Sequence, residues 1–514
     1  MRIAIVHFHL QTGGVTRVIE HACRALALSG HEVAVLSGEL PPQPQAFPAR
    51  VKLVPALSYE ERREPLGPSA LREEMTQAAT EALGAAPDLW HVHNHCLGKN
   101  LALPDALFQL AESGQRLLLQ PHDFAEDGRP ALYRRMLETL SAQDSAALSA
   151  RLYPLAPQIH YATLNARDLG FLGAAGIPAQ QLHELPNAVA LASPAASGSP
   201  TGSPAASPAG SPIGSSAASP APSLAAPRAI PARSRLWLYP TRAIRRKNLG
   251  ELLFWAAVAG PEDRFGATQA PQNPLEQPRY QRWVALAEEL ALPVDFELGA
   301  RTDDFGALLA SSHALITTSV GEGFGLAFLE PWLIDRPLAG RELPEITGDF
   351  TANGIDLSGL YRRLPVPLDW LDAEALRRRL DQALAITADA YRRPRDRDDL
   401  DRAWGAATDS AGRIDLGRLD EEAQAQVLRR VRADPSAPSA LDATSPPLAD
   451  GPELIARNRA LVEHHYLLEG YRHRLEAIYQ SLLAAPSTAI GDQADGEALI
   501  AQFQAPERLW LLRT

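Results

Sequence analysis

The sequence predicts an α/β protein built from two doubly wound domains followed by a helical region. Three observations carry that prediction. Short apolar runs with strand character alternate with stretches of helical periodicity; the alternation occurs twice, on either side of one Ala/Ser/Pro/Gly segment; and glycines and cations gather where a strand runs into a helix. With 514 residues, 46% hydrophobic and 21% charged, the chain has enough apolar material for two ordinary domains plus additions.

The elements follow in order. "IAIVHF" reads as a strand, and a helix is expected from about Thr16 to Ser29, with Val18, Ala22, Ala25 and Leu26 on one face and Gly30 as its stop. "EVAVLS" and "LLLQ" continue the first domain, taken as residues 1–189. From Ala192 to Pro227 the chain is almost wholly Ala, Ser, Pro and Gly with no charge, too poor in large side chains to offset the entropy of ordering. Residues 190–233 are therefore expected to be a disordered linker. The alternation restarts with "LWLYP", a helix from about Asn248, "VDFEL", "ALITTS", a helix carrying Glu330 about two turns in, and "PLAG", which together give a second domain over 234–356. Residues 357–452 read as a helical extension rich in Arg and Asp, interrupted by the flexible connector "DPSAPSALDATSPPLADGP". Residues 453–514 are expected to form helices packing on the core, the first a long one broken or bent near Gly470.

Composition excludes several classes. No apolar run approaches the roughly 18 residues of a membrane-spanning helix, and the N-terminal apolar stretch is too short for a signal peptide, so a cytoplasmic location is expected. Cys23 and Cys96 are the only cysteines, which excludes a disulfide framework and a cysteine-based zinc site. The net charge of −12 argues against general attraction to nucleic acid or anionic lipid, and leaves local basic pockets and peripheral membrane contact open.

Three junctions carry candidate chemistry. In "HLQTGGVTRVIEHA", Gly13 and Gly14 permit close backbone approach ahead of a helix N-terminus whose free amides suit an anionic group; a plain tight turn accounts for them equally well. In "YPTRAIRRKNLGELL", Arg242, Arg245, Arg246 and Lys247 gather just before a helix, where cations repel one another and the helix dipole. A bound polyanion such as a pyrophosphate explains that placement, with Arg242 and Lys247 the chosen ligands; a solvated basic loop is the alternative. In "LITTSVGEGFGLAFLEPW", Glu322 lies among Gly321, Gly323 and Gly325, and Glu330 follows inside an apolar segment. Carboxylates there are costly to desolvate without partners, and each accepts hydrogen bonds from vicinal hydroxyls, so the two suit a sugar ring and a ribose. Structural capping of local amides is the other explanation.

These residues resemble the retaining GT-B glycosyltransferases, in particular glycosyltransferase family four, whose two donor-binding glutamates are separated by seven residues as in "EGFGLAFLE". "TGGV", "DLWHVHNH", "QPHDF", "LPNAV", "TRAIRRKN" and "LPEI" occur in the family's order, so the resemblance extends over nearly the whole chain. It implies two Rossmann-like domains facing a cleft, the second holding the nucleotide-sugar donor and the first the acceptor. It makes Glu322 the contact to hydroxyls of the transferred sugar, Glu330 the contact to the ribose, and Arg242 and Lys247 the groups that neutralise the leaving diphosphate where other enzymes use a metal. The amides at Gly323, Phe324 and Gly325 would help hold sugar and phosphate, Gly13 and Gly14 would lie near the reacting centre, and His122 matches the first-domain histidine that reaches the donor sugar. No cofactor and no metal are expected. The Ala/Ser/Pro segment and the region from about Leu357 to Pro452 depart from the common core.

The expected activity is transfer of a hexose, with retention by front-face substitution, from a nucleoside diphosphate sugar to a small-molecule or glycan acceptor. Residues 1–189 hold fewer Lys and Arg than Asp and Glu, which favours a soluble acceptor over one at an anionic membrane. Two alternatives stand beside it. A sugar phosphate acceptor would need a second anion site, for which Arg17, Arg129, Arg134 and Arg135 are candidates, and a non-catalytic nucleotide-sugar-binding scaffold would not require the full residue set. Elsewhere, "HVHNH" would place His91, His93 and His95 on one face of an extended strand, yet nothing nearby completes a metal site. Asp396 and Asp398 in "RDRDD" are expected to be solvated, and Asp123 to orient or cap the His122 loop.

Overall fold

The computed structural model describes residues 1–62, 66–189, 234–434, 436–437, 441 and 445–514. The expected linker at 190–233 and parts of the connector after residue 434 lie outside the described residues.

The first sheet contains β1 (Arg2–His7), β2 (Glu32–Ser37), β3 (Arg50–Leu53), β4 (Leu89–His93), β5 (Leu117–Gln120), β6 (Ile159–Thr163) and β7 (Leu182–Glu184). They run parallel in the order β3-β2-β1-β4-β5-β6-β7. Parallel neighbours need crossovers, and the crossing helices cover both faces, so a strand such as "IAIV" can be apolar at every position; Ile3 to Val6 are all fully buried. The second sheet contains β8 (Arg235–Arg242), β9 (Asp263–Gln269), β10 (Val294–Asp295), β11 (Ala314–Thr317), β12 (Leu338–Arg341) and β13 (Leu360–Tyr361), parallel in the order β10-β9-β8-β11-β12-β13. Of "VDFEL", only Val294 and Asp295 pair as strand. Both sheets change winding direction beside their first strand, between β1 and β4 and between β8 and β11. In open α/β sheets the crevice at that switch point, beyond the carboxyl ends of the strands, is where ligands bind. Helix α1 (Gly14–Leu28) leaves β1 there, and α2 (Leu249–Val258) follows the cationic loop after β8.

The second sheet runs past residue 356 to β13, and the extension beyond it is built into the same core. Leu364, Val366, Leu380, Ile414, Val427 and Leu428 pack in one buried cluster with Trp237, Leu252 and Phe265. A buried ion triad locks the extension in place. Fully buried Arg341, at the end of β12, is bidentate to both Glu251 of α2 (2.9 and 2.7 Å) and Asp415 of the extension (2.9 and 2.8 Å).

The expected long helix after Pro452 is two helices, α3 (Pro452–Tyr466) and α4 (Leu468–Ala484), and the break falls at Leu467, with φ −70° and ψ 163°, instead of near Gly470. The reason is tertiary. Val462 and Tyr466 of α3 pack on the second domain, whereas Tyr471, Leu475 and Tyr479 of α4 pack on α1 and the first sheet, so the chain changes direction where it crosses between domains. Helix α5 (Gly496–Phe503) then packs on the first domain, and the chain crosses back, burying Leu511 in the second-domain core.

Candidate active site

On the first domain the site is built at the ends of β1, β4 and β5. Asn94, just past β4, adopts a left-handed conformation at φ 59°, a state Asn tolerates better than most residues. Its side-chain oxygen accepts from the amides of His122 (2.7 Å) and Asp123 (3.2 Å), fixing the loop after β5. The His122 imidazole is buried, with Nε2 at 2.8 Å from His93 Nδ1. Burial drives the His122 pKa down to about 4, so the ring is neutral near pH 7. Asp123 pairs with Arg129 at 2.8 Å. The histidine series divides. His91 and His93 stack in the core with ring centroids 4.3 Å apart, but His95 lies beyond the strand in a 3-10 turn and meets the Leu152 carbonyl, so the three do not share a face. Among the described residues the clustered groups with metal-ligand spacing are Asp396, Asp398 and Asp399; the first two are exposed, and buried Asp399 pairs with Arg393 at 3.2 Å.

Gly13 caps α1 with extended backbone (φ −179°), and a side chain at Gly14 would point into open space. One turn on, Arg17 reaches Glu330 of the second domain at 3.2 Å.

On the second domain the cationic loop and the glycine loop are joined. Thr318 Oγ1 donates to the Lys247 and Asn248 carbonyls (both 3.0 Å), the Val320 amide donates to the Arg246 carbonyl (2.9 Å), and Arg246 donates to the Gly321 carbonyl (2.6 Å). Glu322 is nearly buried and pairs with Lys247, with Arg246 at 3.4 Å. Burial alone would raise its pKa, but the two cations hold it below the usual carboxylate range, so it is ionised. The four cations of the loop thus part company. Arg245 turns away to Glu421 of the extension (2.6 Å), Arg246 and Lys247 serve Glu322, and Arg242, half-buried at the end of β8, has no ion pair among the described residues. Glu330 opens a four-residue helix, Glu330–Leu333, after a 3-10 turn; it is not two turns into a helix, because Gly325 at φ 92° starts a separate turn at Leu326. A side chain at Gly325 would also strike Phe328 and Ile346 within 3 Å. The Phe324 ring packs with Phe350 and Tyr466, which leaves its backbone as the part able to meet a ligand.

The domains meet here. Asn165 donates to the Gly323 carbonyl at 2.8 Å, and a Cβ on Gly323 would lie 3.1 Å from the His122 carbonyl, so glycine permits the approach. His122, Asp127, Arg167, Arg246, Glu322 and Arg513 line a cavity of about 30 Å³ between the two loops. His122, Lys247 and Glu322 are therefore brought to one interdomain face, with Glu330 at its edge near α1. The cations named for a second anion site are engaged singly: Arg17 with Glu330, Arg129 with Asp123, Arg134 with Asp389 (2.7 Å) and Arg135 with Glu61 (2.7 Å). Sequence reasoning missed Asn94, Asn165 and Arg513, and weighed His93 only as a metal candidate. An asparagine just after a strand, as at Asn94 and Asn165, is a readable turn signal; His93 and Arg513 act through partners distant in sequence.

Residues 12–193 match the Glycosyltransferase Family 4 model. Mannosylglucosyl-3-phosphoglycerate synthase of Petrotoga mobilis is 26% identical over 265 residues, which are 51% of this chain and 48% of that protein. The chain thus spans about half the length of that relative. Crystal structures of HepE from Anabaena superpose with TM-scores of 0.52 (bound to UDP; 12% identity, 94% of this chain, 100% of that one) and 0.51 (bound to UDP-glucose; 11%, 93% and 99%). A glycosyltransferase from Rickettsia africae ESF-5 gives 0.50, with 11% identity over 94% of this chain and 99% of that one. The chain has the two-domain GT-B fold, and residues 12–193 of it are similar to glycosyltransferase family 4.

Proposed function

We propose that the protein transfers a hexose from a nucleoside diphosphate sugar to a hydroxyl acceptor with retention at the anomeric carbon. The observation that carries this reading is the placement of ionised Glu322, set by Lys247 and Arg246, on the interdomain face with His122. Glu322 would hold hydroxyls of the sugar, Glu330 the ribose, and Arg242 and Lys247 the diphosphate, with the amides of Gly323 to Gly325 at the sugar and Gly13 and Gly14 beside the reacting carbon. In front-face substitution the bond from the anomeric carbon to phosphate breaks while the bond to the acceptor oxygen forms on the same face. The acceptor proton passes to the departing phosphate, whose charge Arg242 and Lys247 stabilise. Asp123, Asp127, Asp168 and Glu322 around the cavity are each paired with a cation, which favours this course over attack by a free carboxylate. No metal is needed in this scheme.

A sugar phosphate acceptor is the second reading, because the Petrotoga relative is named for a product with a phosphoglycerate group. The pairing of Arg17, Arg129, Arg134 and Arg135 counts against it. A thermal-shift screen with UDP, GDP and ADP and their glucose, mannose and N-acetylglucosamine conjugates tests the donor reading. Stabilisation by one nucleotide family, lost in Glu330→Ala, is expected; no stabilisation by any of them overturns the donor reading.

A further inference from the structure

We propose that the segment Pro506–Thr514 is a strap that holds the loop Val320–Gly323 against the His122 loop, with Arg513 as its positioning residue. Arg513 comes from a region far from every motif discussed above, yet it lies between the two loops. Its guanidinium pairs with Asp127 of the first domain at 2.7 Å. Its Nε, Cδ and Cζ are 3.2, 3.3 and 3.4 Å from where a Cβ on Gly321 would stand, so it packs directly on that backbone. Arg246 donates to the carbonyl of the same glycine at 2.6 Å. Gly321 is thereby gripped by two arginines, one from the cationic loop and one from the strap, immediately before Glu322.

The strap itself is well anchored. Leu511 and Leu512 are buried, Arg418 stacks 3.9 Å from the Trp510 ring centre, and Arg508 lies 3.0 Å from Glu345 and 4.5 Å from the Phe171 ring centre. Arg402 is bidentate to Glu507 at 2.7 and 3.0 Å, and Arg245 donates to Thr514. The Arg513 carbonyl sits 3.2 Å from the Cβ position of Gly128, on the first-domain loop. These anchors belong to both domains and to the extension. Holding the segment down is thus the task of Leu511, Leu512 and Trp510, whereas the Arg513 guanidinium reaches into the polar cavity beside Glu322.

The physical need is plain. A loop with glycines at 321 and 323 has wide backbone freedom, and a binding carboxylate is effective only when held to within about 0.5 Å of its productive position. Lys247 and Arg246 fix the Glu322 side chain, and Arg513 fixes the backbone that carries it. The effect on the loop stands on geometry alone, whereas any effect on donor binding rests on the transferase reading above.

Hydrogen–deuterium exchange on the unliganded full chain decides the matter. In Arg513→Ala, amides of 319–325 are expected to exchange about tenfold faster, with β8 and β11 unchanged. Arg513→Lys, which keeps the charge for Asp127, is expected to restore part of the protection. Should Arg513→Ala fail to fold, Asp127→Asn removes the same pair from the other side and is expected to give the same local signature. Unchanged exchange at 319–325 in the folded variant overturns the proposal. Where a nucleotide sugar stabilises the wild type, its KM is expected to rise about tenfold in Arg513→Ala while affinity for the bare nucleoside diphosphate is kept. Equal loss for both overturns the positioning role. Absence of nucleotide-sugar binding by the wild type sinks the transferase reading and leaves the exchange result to judge the strap.

Discussion

Lys247 and Glu322 show how a pair buried at an interface does two jobs. The ammonium keeps Glu322 ionised, and in the proposed reaction it faces the departing phosphate. Lys247→Ala is expected to lower turnover by about 100-fold or more with the fold intact, as for loss of one preorganised charge-stabilising donor; near-normal initial rates would remove the role. His122 belongs to a set of buried neutral histidines: burial lowers its pKa and that of His95 to about 4, and those of His7 and His91 to about 3. Below pH 6.5 the unfolded chain takes up protons at these sites that the folded chain refuses, so each group costs about 1.4 kcal/mol of stability per pH unit until its folded pKa is reached. The denaturant midpoint is expected to fall steeply between pH 7 and pH 5. A flat profile would mean that these rings are solvated or charged in the fold.

Among the elements, the extension beyond residue 356 is the instructive case. It is joined to β12 and α2 through Arg341, which is fully buried with carboxylates on both sides. Such a triad is poor evidence of net stabilisation, because its members lose their hydration, but breaking it is costly. Arg341→Ala leaves Glu251 and Asp415 facing each other unpaired and is expected to destabilise the second domain by about 3–5 kcal/mol. Thermal unfolding would show this as a lowered transition, with α4 and the first domain retaining their protection from exchange. An unchanged transition would mean that the extension is held by its apolar contacts alone. The division at Leu467 is a similar matter: Gly470 marks an interruption locally, and the requirement that Tyr466 and Tyr471 bury on different domains sets it at Leu467.

At the scale of the molecule, the two domains are closed on each other. The cavity between the His122 and Glu322 loops, about 30 Å³, is small beside the roughly 300–1,000 Å³ of ligand pockets, and a neighbouring cavity of about 390 Å³ shares Gly321, Glu322 and Arg513 with it. If the sugar sits between His122 and Glu322 as proposed, the two loops are expected to part on binding. Ala166 and Asp349 touch across the interface, the Ala166 amide donating at 2.9 Å, and both native cysteines are buried. A short reducible crosslink between Ala166→Cys and Asp349→Cys is expected to abolish the thermal-shift response to nucleotide sugar, with reduction restoring it. A retained response would show that the loops move without the domains.

The sequence by itself determined the architecture and the junctions at which the candidate site gathers. Alternating apolar runs specified two wound sheets because periodicity is local, and the order of "TGGV", "TRAIRRKN" and "EGFGLAFLE" marked the strand-to-helix junctions where a crevice forms. Among the four cations of "RAIRRK" it named Arg242 and Lys247 as ligands, but it gave no sign that Arg245 turns to Glu421 or that Arg246 pairs with Glu322. It also misplaced Glu330, because a glycine turn and a short helix share the composition of one longer helix. What only the tertiary structure decided is the set of pairs distant along the chain: Arg17 with Glu330, Arg341 with Asp415, and Arg513 with Asp127 and Gly321. The reason is physical. Propensity and periodicity act over a few residues, whereas burying a charge or seating a guanidinium on a glycine depends on which surfaces the folded domains bring together.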